Sequence, residues 1–202
     1  LTADGKSLEY RCWGPAPGTA PTLVMLHEGL GSLGLWRDMP ERLAVATGCG
    51  VLAYSRAGHG ASDSADLPRP LDFHTVEGTG VLAEVLDAAG VQNCVLLGHS
   101  DGATMAAIYA GSVSDMRVRG LVLIAPHFFT EETGLLAIND VLAQFTEGDL
   151  RPKLARHHSD VDGAFYGWNN VWLDPAFAAW NVADVIDHWR IPVLAIQGTH
   201  DP

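Results

Sequence analysis

Four short apolar runs decide what this chain can fold into. Residues 22–26, 50–54, 93–97 and 118–125 are dominated by Val, Leu, Ile, Met and Ala. A strand with one wet face alternates apolar and polar residues, whereas runs like these are apolar on both faces and must be covered on both. Between them lie stretches with helical spacing. One carries Leu35, Met39, Leu43 and Ala46 and closes at Gly48; another spans 73–89 and closes at Gly90. Strands alternating with helices predict an α/β fold, a mostly parallel, doubly wound sheet with helices on both faces. Residues 8–13 are expected as an edge strand, and 192–196 as a further strand. From His127 the rhythm breaks into a long, mostly helical stretch rich in aromatics, including Trp168, Trp172 and Trp180. The expected organisation is a core of 1–126 and 189–202, with 127–188 as a helical cap inserted over the sheet edge.

The third run leads directly into Gly98-His99-Ser100-Asp101-Gly102, followed by the small-residue stretch 103–111. That order reads as strand, abrupt turn and helix, with a serine on the turn. The glycines two positions to either side are needed because a β-carbon there would meet a neighbouring strand or helix. G-x-S-x-G in this context is a nucleophile elbow.

A serine hydroxyl is a poor nucleophile at neutral pH. It needs a base, an acid to orient that base, and donors for the oxyanion. Ser100 is the expected nucleophile. The N–H of Asp101 opens the following helix, where the helix dipole also favours negative charge. The second donor is expected from the loop after an earlier strand, His27-Glu28-Gly29-Leu30-Gly31, with the Gly29 N–H favoured and Leu30 as its neighbour. The acid belongs just past a later strand, and Asp201 in Gln197-Gly198-Thr199-His200-Asp201 is the candidate.

Taken together, Leu26-His27-Glu28-Gly29, Ser55-Arg56-Ala57-Gly58-His59-Gly60-Ala61-Ser62, Gly98-His99-Ser100-Asp101-Gly102 and Ile191-Pro192 with Gly198-Thr199-His200-Asp201 resemble the α/β-hydrolase superfamily. The resemblance implies Ser100 as nucleophile, Asp201 as triad acid, the Gly29 and Asp101 N–H groups as oxyanion hole, and a cap at about 127–188. Glu28 stands where the family usually has glycine. The family's catalytic histidine follows the acid, and only Pro202 follows Asp201 here, so the base is expected beyond residue 202 and the fold is expected to be C-terminally truncated.

The remaining candidates carry more modest expectations. His127, Leu30 and Trp168 are expected to contact substrate. His27 is expected to steady the oxyanion loop by a hydrogen bond, His99 to pack beneath the elbow, and Arg56 to anchor its own turn. His59 reads as part of a tight surface turn, His157 and His158 as a solvated helical face, and Glu77, Glu84 and Asp87 likewise. His200 is expected to point away from the acid.

Composition narrows the function classes. With 12 Lys and Arg against 24 Asp and Glu, the net charge is -12 and no basic cluster occurs, which argues against nucleic acid or an anionic membrane as partner. No apolar run approaches the roughly 18 residues of a membrane span. Cys12, Cys49 and Cys94 form no C-x-x-C and are expected as buried reduced thiols, as suits a reducing cytoplasm. His157 and His158 with Asp160 and Asp162 fix no metal-ligand spacing, and no cofactor is expected. The expected activity is a serine hydrolase acting on a carboxylic ester or related acyl bond of a small molecule through an acyl-enzyme. A carbon–carbon bond hydrolase of the same fold would use the same parts. The reading from a different class is a non-catalytic small-molecule binding protein. Dehalogenase and epoxide hydrolase chemistry is disfavoured, because those relatives resemble this fold with an aspartate where Ser100 stands. Nothing in the sequence bears on oligomeric state.

Overall fold

The computed structural model describes residues 1–199 and 201. A small antiparallel hairpin, β1 (Thr2–Ala3) and β2 (Lys6–Ser7), precedes the main sheet. The sheet has six strands: β3 (Tyr10–Trp13), β4 (Thr22–Leu26), β5 (Gly50–Tyr54), β6 (Cys94–His99), β7 (Val118–Ile124) and β8 (Val193–Ile196). Their spatial order is β3-β5-β4-β6-β7-β8, with β3 antiparallel to β5 and every other pairing parallel. This is the expected doubly wound sheet, with an edge strand shorter than the 8–13 read from sequence.

The apolar runs are continuous because both faces of each strand are covered. Val24, Leu26, Leu52, Tyr54 and Leu96 enter one core cluster, whereas Met25, Val51, Ala53 and Leu97 enter another on the opposite face. Successive side chains of one strand thus feed two layers. Val24, Met25 and Leu26 are at most 1% exposed, and each such side chain contributes about 1.5–3 kcal/mol of burial.

The helices differ in detail from their sequence outline. The 35–47 segment is a 3-10 turn (Leu33–Trp36) followed by α1 (Met39–Thr47). Arg37, at φ 52°, breaks the run, and Pro40 starts α1 where its missing N–H costs nothing. Gly48 ends α1 at φ 69°, a left-handed conformation that glycine adopts without strain. The 73–89 segment is one long helix built from α2 (Phe73–Val76), a π-helical turn (Glu77–Val81) and α3 (Leu82–Ala88). Its buried residues are Phe73, His74, Glu77, Gly78, Val81, Leu82, Val85 and Leu86, pairs repeating every four positions. That wide period carries Glu77 into the interior, where it lies 3.5 Å from buried Arg69, instead of on the solvated face with Glu84 and Asp87. Helix α4 (Asp101–Ser112) is buried from Asp101 to Tyr109, which its small residues permit.

Between β7 and β8 the chain forms α5 (Glu132–Thr146), α6 (Leu150–Leu154) and α7 (Val161–Trp172), then 3-10 turns at Pro175–Ala179 and Ala183–His188. The inserted stretch leaves and returns through a pinched stem, with the Val182 N–H on the Phe128 carbonyl at 2.7 Å and the Thr130 N–H on the Trp180 carbonyl at 3.3 Å. Phe145, Leu154 and Phe165 form a small core of its own, in which the Phe145 and Phe165 rings stack at 3.7 Å. Val171, Trp172 and Phe177 instead join the main core. Asp160 caps α7 by accepting from the Gly163 N–H at 2.8 Å.

The thiols depart from the reading as three buried groups. Only Cys94 is buried; Cys12 is exposed because β3 is an edge strand, and Cys49 is half-buried. Among the described residues no helix is long and apolar enough to cross a membrane.

Candidate active site

The sheet order reverses direction at β4. From β4 the chain runs to β5 on one side, then crosses back to β6 on the other. The loops leaving β4 and β6 therefore diverge, and the crevice between them at the strands' carboxyl ends is where open α/β sheets bind ligands. Leu26 pairs with Gly98, so the loop that starts at His27 and the turn at Ser100 begin side by side.

The turn at Ser100 is strained. Ser100 adopts φ 50° and ψ -121°, a combination that glycine tolerates and other residues occupy at a cost of about 1–3 kcal/mol. Both flanking glycines are there for space. A β-carbon on Gly98 would lie 2.4 Å from the backbone of Ala103, and one on Gly102 would lie 2.2 Å from the Leu26 carbonyl oxygen. The first glycine lets the helix approach β6, and the second lets it approach β4. Helix α4 starts at Asp101, so the Asp101 N–H has no acceptor within the helix.

The loop after β4 is a tight turn in which the Gly31 N–H donates to the Glu28 carbonyl at 3.0 Å. Gly29 and Leu30 are its two central residues. Among the described residues neither of their N–H groups donates to a protein acceptor. The carbonyls of the loop are held from behind. Arg56 donates to the His27 carbonyl at 2.6 Å and to the Glu28 carbonyl at 2.9 Å. The His27 Nδ1–H donates to the Glu28 carbonyl at 2.7 Å, while its Nε2 accepts the Arg56 N–H at 3.1 Å. The Nε2–H of His59 donates to the Gly29 carbonyl at 2.9 Å. His158, between α6 and α7, donates from Nε2 to the Leu30 carbonyl at 3.1 Å and accepts the Gly60 N–H at Nδ1, also at 3.1 Å. These partners assign the neutral tautomers of His27 and His158. Burial, with cationic or imidazole neighbours, pushes His27 and His59 well below the usual histidine range, and burial lowers His158 as well.

Several side chains sit differently from the sequence reading. The Arg56 guanidinium anchors the loop after β4 instead of its own turn, because it is buried against that loop. His59 is 3% exposed, and His158 is 6% exposed, because the inserted stretch packs over the Arg56–Ser62 turn. His99 is half-exposed rather than packed beneath the elbow, with its Nδ1 3.5 Å from Glu28 Oε2. The Glu28 contact raises the His99 pKa against the opposing effect of burial. Burial alone would raise the Glu28 carboxyl, yet the His99 contact and other local effects leave it below its usual range.

Asp101 is also held by an unforeseen partner. Its Oδ1 lies 3.2 Å from Nε2 of fully buried His74, off the hydrogen-bonding line. The His74 ring is enclosed by Phe73, Trp172, Phe177 and Trp180. Burial would raise the Asp101 carboxyl, but His74 beside it, together with the more distant Arg56 and His127, brings the group below its usual range.

A cavity of about 160 Å³ opens at the elbow, lined by Ser100, Asp101, His127, Glu131, Gly134, Leu135, Ala137, Ile138, Trp168, Trp172 and Asp201. The expected Ser100, Asp101, Asp201, His127 and Trp168 thus share one space. Leu30 does not line it; its side chain packs on the Phe145–Phe165 cluster. Gly29 borders Trp168 so closely that a β-carbon would fall 2.1 Å from Trp168 Nε1. Asp201 is exposed and accepts from Gln197 Nε2 at 2.8 Å. Thr104 fixes His127 through its backbone, accepting its N–H at 3.1 Å and donating to its carbonyl at 2.7 Å. Among the described residues no histidine hydrogen-bonds Ser100 Oγ or the Asp201 carboxylate; the expectation for His200 falls outside them. A larger cleft of about 590 Å³ opens beside the Tyr109–Asp115 stretch at the far end of α4 and contains none of these groups. No cluster of His, Cys, Asp and Glu suited to a metal ion occurs among the described residues.

Residues 21–192 match the family described as alpha/beta hydrolase fold. The chain belongs to the α/β-hydrolase fold family. Its relatives in that family include a non-heme chloroperoxidase of Streptomyces lividans, 30% identical across 99% of this chain and 80% of that protein. A bifunctional esterase/perhydrolase of Acinetobacter calcoaceticus is likewise 30% identical with the same coverage. Among solved α/β-hydrolase structures, an enol-lactonase from Burkholderia xenovorans superposes with a TM-score of 0.70 at 23% identity, covering 98% of this chain and 80% of that one. At that identity the likeness concerns the fold alone.

Proposed function

We propose that this α/β-fold hydrolase, esterase-like in its relatives, is a serine hydrolase that cleaves a carboxylic ester of a small molecule. One observation carries the reading. Ser100 sits on a strained elbow that lines a cavity, the Asp101 N–H opens the helix behind it, and the loop that carries the unpaired Gly29 N–H leaves the neighbouring strand beside the elbow.

In this mechanism Ser100 Oγ attacks the acyl carbon and its proton passes to a histidine base, oriented by Asp201. The superfamily's chain order puts that histidine after the acid. The tetrahedral oxyanion takes the Gly29 and Asp101 N–H groups, and loss of one such donor costs about 3–4 kcal/mol of barrier. Collapse expels the alcohol, which receives the proton from the histidine. Water, activated by the same base, then releases the acid from the acyl-enzyme. His127 and Trp168 contact the bound acyl or alcohol group. Trp168, Trp172, Leu135 and Ile138 offer an apolar wall, while Asp101, Glu131 and Asp201 are the carboxylates around it. An uncharged substrate suits this lining better than a carboxylate-bearing one, since like charges repel across a small cavity.

The test uses the full-length protein with p-nitrophenyl acetate and a fluorophosphonate probe. Ser100→Ala is expected to abolish both the acylation burst and labelling. No labelling at Ser100 in the wild type, with no turnover, would instead favour a binding protein on this fold. His127→Gln is expected to retain labelling, and its loss would make His127 the base.

A further inference from the structure

Four consecutive carbonyls, those of His27, Glu28, Gly29 and Leu30, all end on buried side-chain donors. In a trans peptide the C=O and the following N–H point in opposite directions. Holding the Glu28 carbonyl on Arg56 and His27 therefore turns the Gly29 N–H the other way, and holding the Gly29 carbonyl on His59 does the same for the Leu30 N–H. The direction of the oxyanion donors is set by what grips the back of the loop. Three of the gripping residues, His27, Arg56 and His59, belong to the loops after β4 and β5. The fourth comes from elsewhere.

His158 lies 128 residues from Leu30 in sequence, in the turn between α6 and α7. Its ring spans the two loops, with Nε2 on the Leu30 carbonyl and Nδ1 on the Gly60 N–H. The next residue closes the same joint, its Ser159 N–H donating to the Gly60 carbonyl at 2.8 Å. Two further contacts run from the inserted stretch to the same loop. The Leu30 side chain packs against Phe145, Leu154 and Phe165, and the Trp168 indole occupies the space over Gly29. The Leu30 carbonyl that His158 holds belongs to the peptide whose N–H, that of Gly31, closes the turn on the Glu28 carbonyl at 3.0 Å, so the inserted stretch fixes the closure of the turn that carries the Gly29 and Leu30 N–H groups.

We infer that His158 is a positioning residue for catalysis, through which the inserted helices hold the Gly29–Leu30 turn in the geometry that receives the oxyanion. The inference rests on the proposed role of the Gly29 N–H. It assigns to the inserted stretch a contribution to turnover that is separate from substrate contact. Because the donors act on the oxyanion and not on the bound ester, the effect belongs in kcat and leaves KM nearly unchanged. A donor displaced by a fraction of an ångström loses much of its electrostatic effect, so loss of this hold is expected to lower kcat about 10- to 100-fold.

The test compares His158→Ala, His158→Gln and His158→Asn in the full-length protein, with p-nitrophenyl acetate kinetics and hydrogen exchange of the 27–32 segment. The Gln amide reaches the Nε2 position and keeps a donor for the Leu30 carbonyl, whereas Asn supplies an acceptor only near Nδ1, for the Gly60 N–H. The expected result is a fall in kcat for Ala and Asn at constant KM, recovery to within about threefold of wild type for Gln, and faster exchange at 27–32 in Ala and Asn alone. Unchanged kcat in Ala, an equal loss in Gln, or a change confined to KM would overturn the inference. Should His158→Ala fail to fold, the contrast between Gln and Asn decides the matter by the same readouts. Failure of the catalytic reading itself is seen separately, as turnover that survives Ser100→Ala, and the exchange measurement does not depend on activity.

Discussion

Replacing Gly98 by alanine adds one methyl group, and the surroundings predict a result out of proportion to that change. Gly98 is the penultimate residue of β6, two before Ser100, and an ideal β-carbon there stands 2.4 Å from Ala103 N and Cα and from the Gly102 carbonyl oxygen. That is about 1 Å short of ordinary contact. All three atoms are backbone of the first turn of α4, so no side chain can rotate away. The turn must retreat from β6, carrying the Asp101 N–H and Ser100 with it. Overpacking of this kind costs about 1–3 kcal/mol of stability. Displacement of a catalytic group by about 1 Å costs on the order of a hundredfold in rate. The matched control is Gly80→Ala, in the π-helical turn, where a β-carbon meets nothing within 4 Å and the backbone has no positive φ. Alanine there is expected to stabilise by about 0.5–1 kcal/mol, because glycine loses more chain entropy on folding. Urea denaturation and steady-state hydrolysis of p-nitrophenyl acetate by the full-length variants read both effects. If Gly98→Ala matches wild type in stability and kcat, or if Gly80→Ala proves as damaging, the steric account of the elbow is wrong.

Other perturbations test separate parts of the structure. His27, His59 and His158 are buried, with pKa values below the usual 6.5, chiefly through burial and with the Arg56 charge acting on the first two. The unfolded chain binds protons near pH 6.5 that the folded chain refuses, so stability is fully present above that pH and falls below it. The expected loss approaches about 1.4 kcal/mol per pH unit for each of His27 and His59, with a smaller share from His158. Urea midpoints should fall between about pH 7.5 and 5, less steeply in His158→Gln, and a flat profile would contradict it. Arg69→Met leaves the Glu77 carboxyl buried without its cation and is expected to destabilise by about 3–5 kcal/mol, most of it recovered when Glu77→Leu is added; a loss below about 1 kcal/mol on thermal unfolding would show the pair to be unimportant. Gly29→Ala drives a β-carbon into the Trp168 indole and should lower kcat at least a hundredfold. Adding Trp168→Ala makes room and should restore part of it, and the absence of any recovery would separate the two residues.

The parts of this molecule that were legible in the sequence are those governed by local spacing. The strands announced themselves because Val24, Met25 and Leu26 are apolar on both faces, and the elbow because Gly98 and Gly102 bracket Ser100 at fixed distances. Glu77 was misread because a π-helical turn widens the buried period from 3.6 to nearly four residues, bringing an apparently solvated carboxylate inward. His59 sits in Gly58-His59-Gly60, a composition that ordinarily marks a surface turn, and only the distant inserted stretch covers it. His158 and His74 gave no local signal, since their partners lie far along the chain. Arg56 offered one: an arginine two residues past a buried strand must either escape to solvent or find several acceptors.

The His158 ring also bears on how such enzymes can be recombined. Its two nitrogens join Leu30 to Gly60, so the inserted helices and the two loops form a single matched set. A chimera that exchanges residues 127–188 for a stretch of a relative without a histidine at that place inherits the new pocket walls but leaves both backbone groups without their imidazole. Such a graft is expected to bind substrate according to the donor stretch and to turn over slowly until a histidine or glutamine is restored at that place. Specificity and rate would then have to be exchanged together in this scaffold.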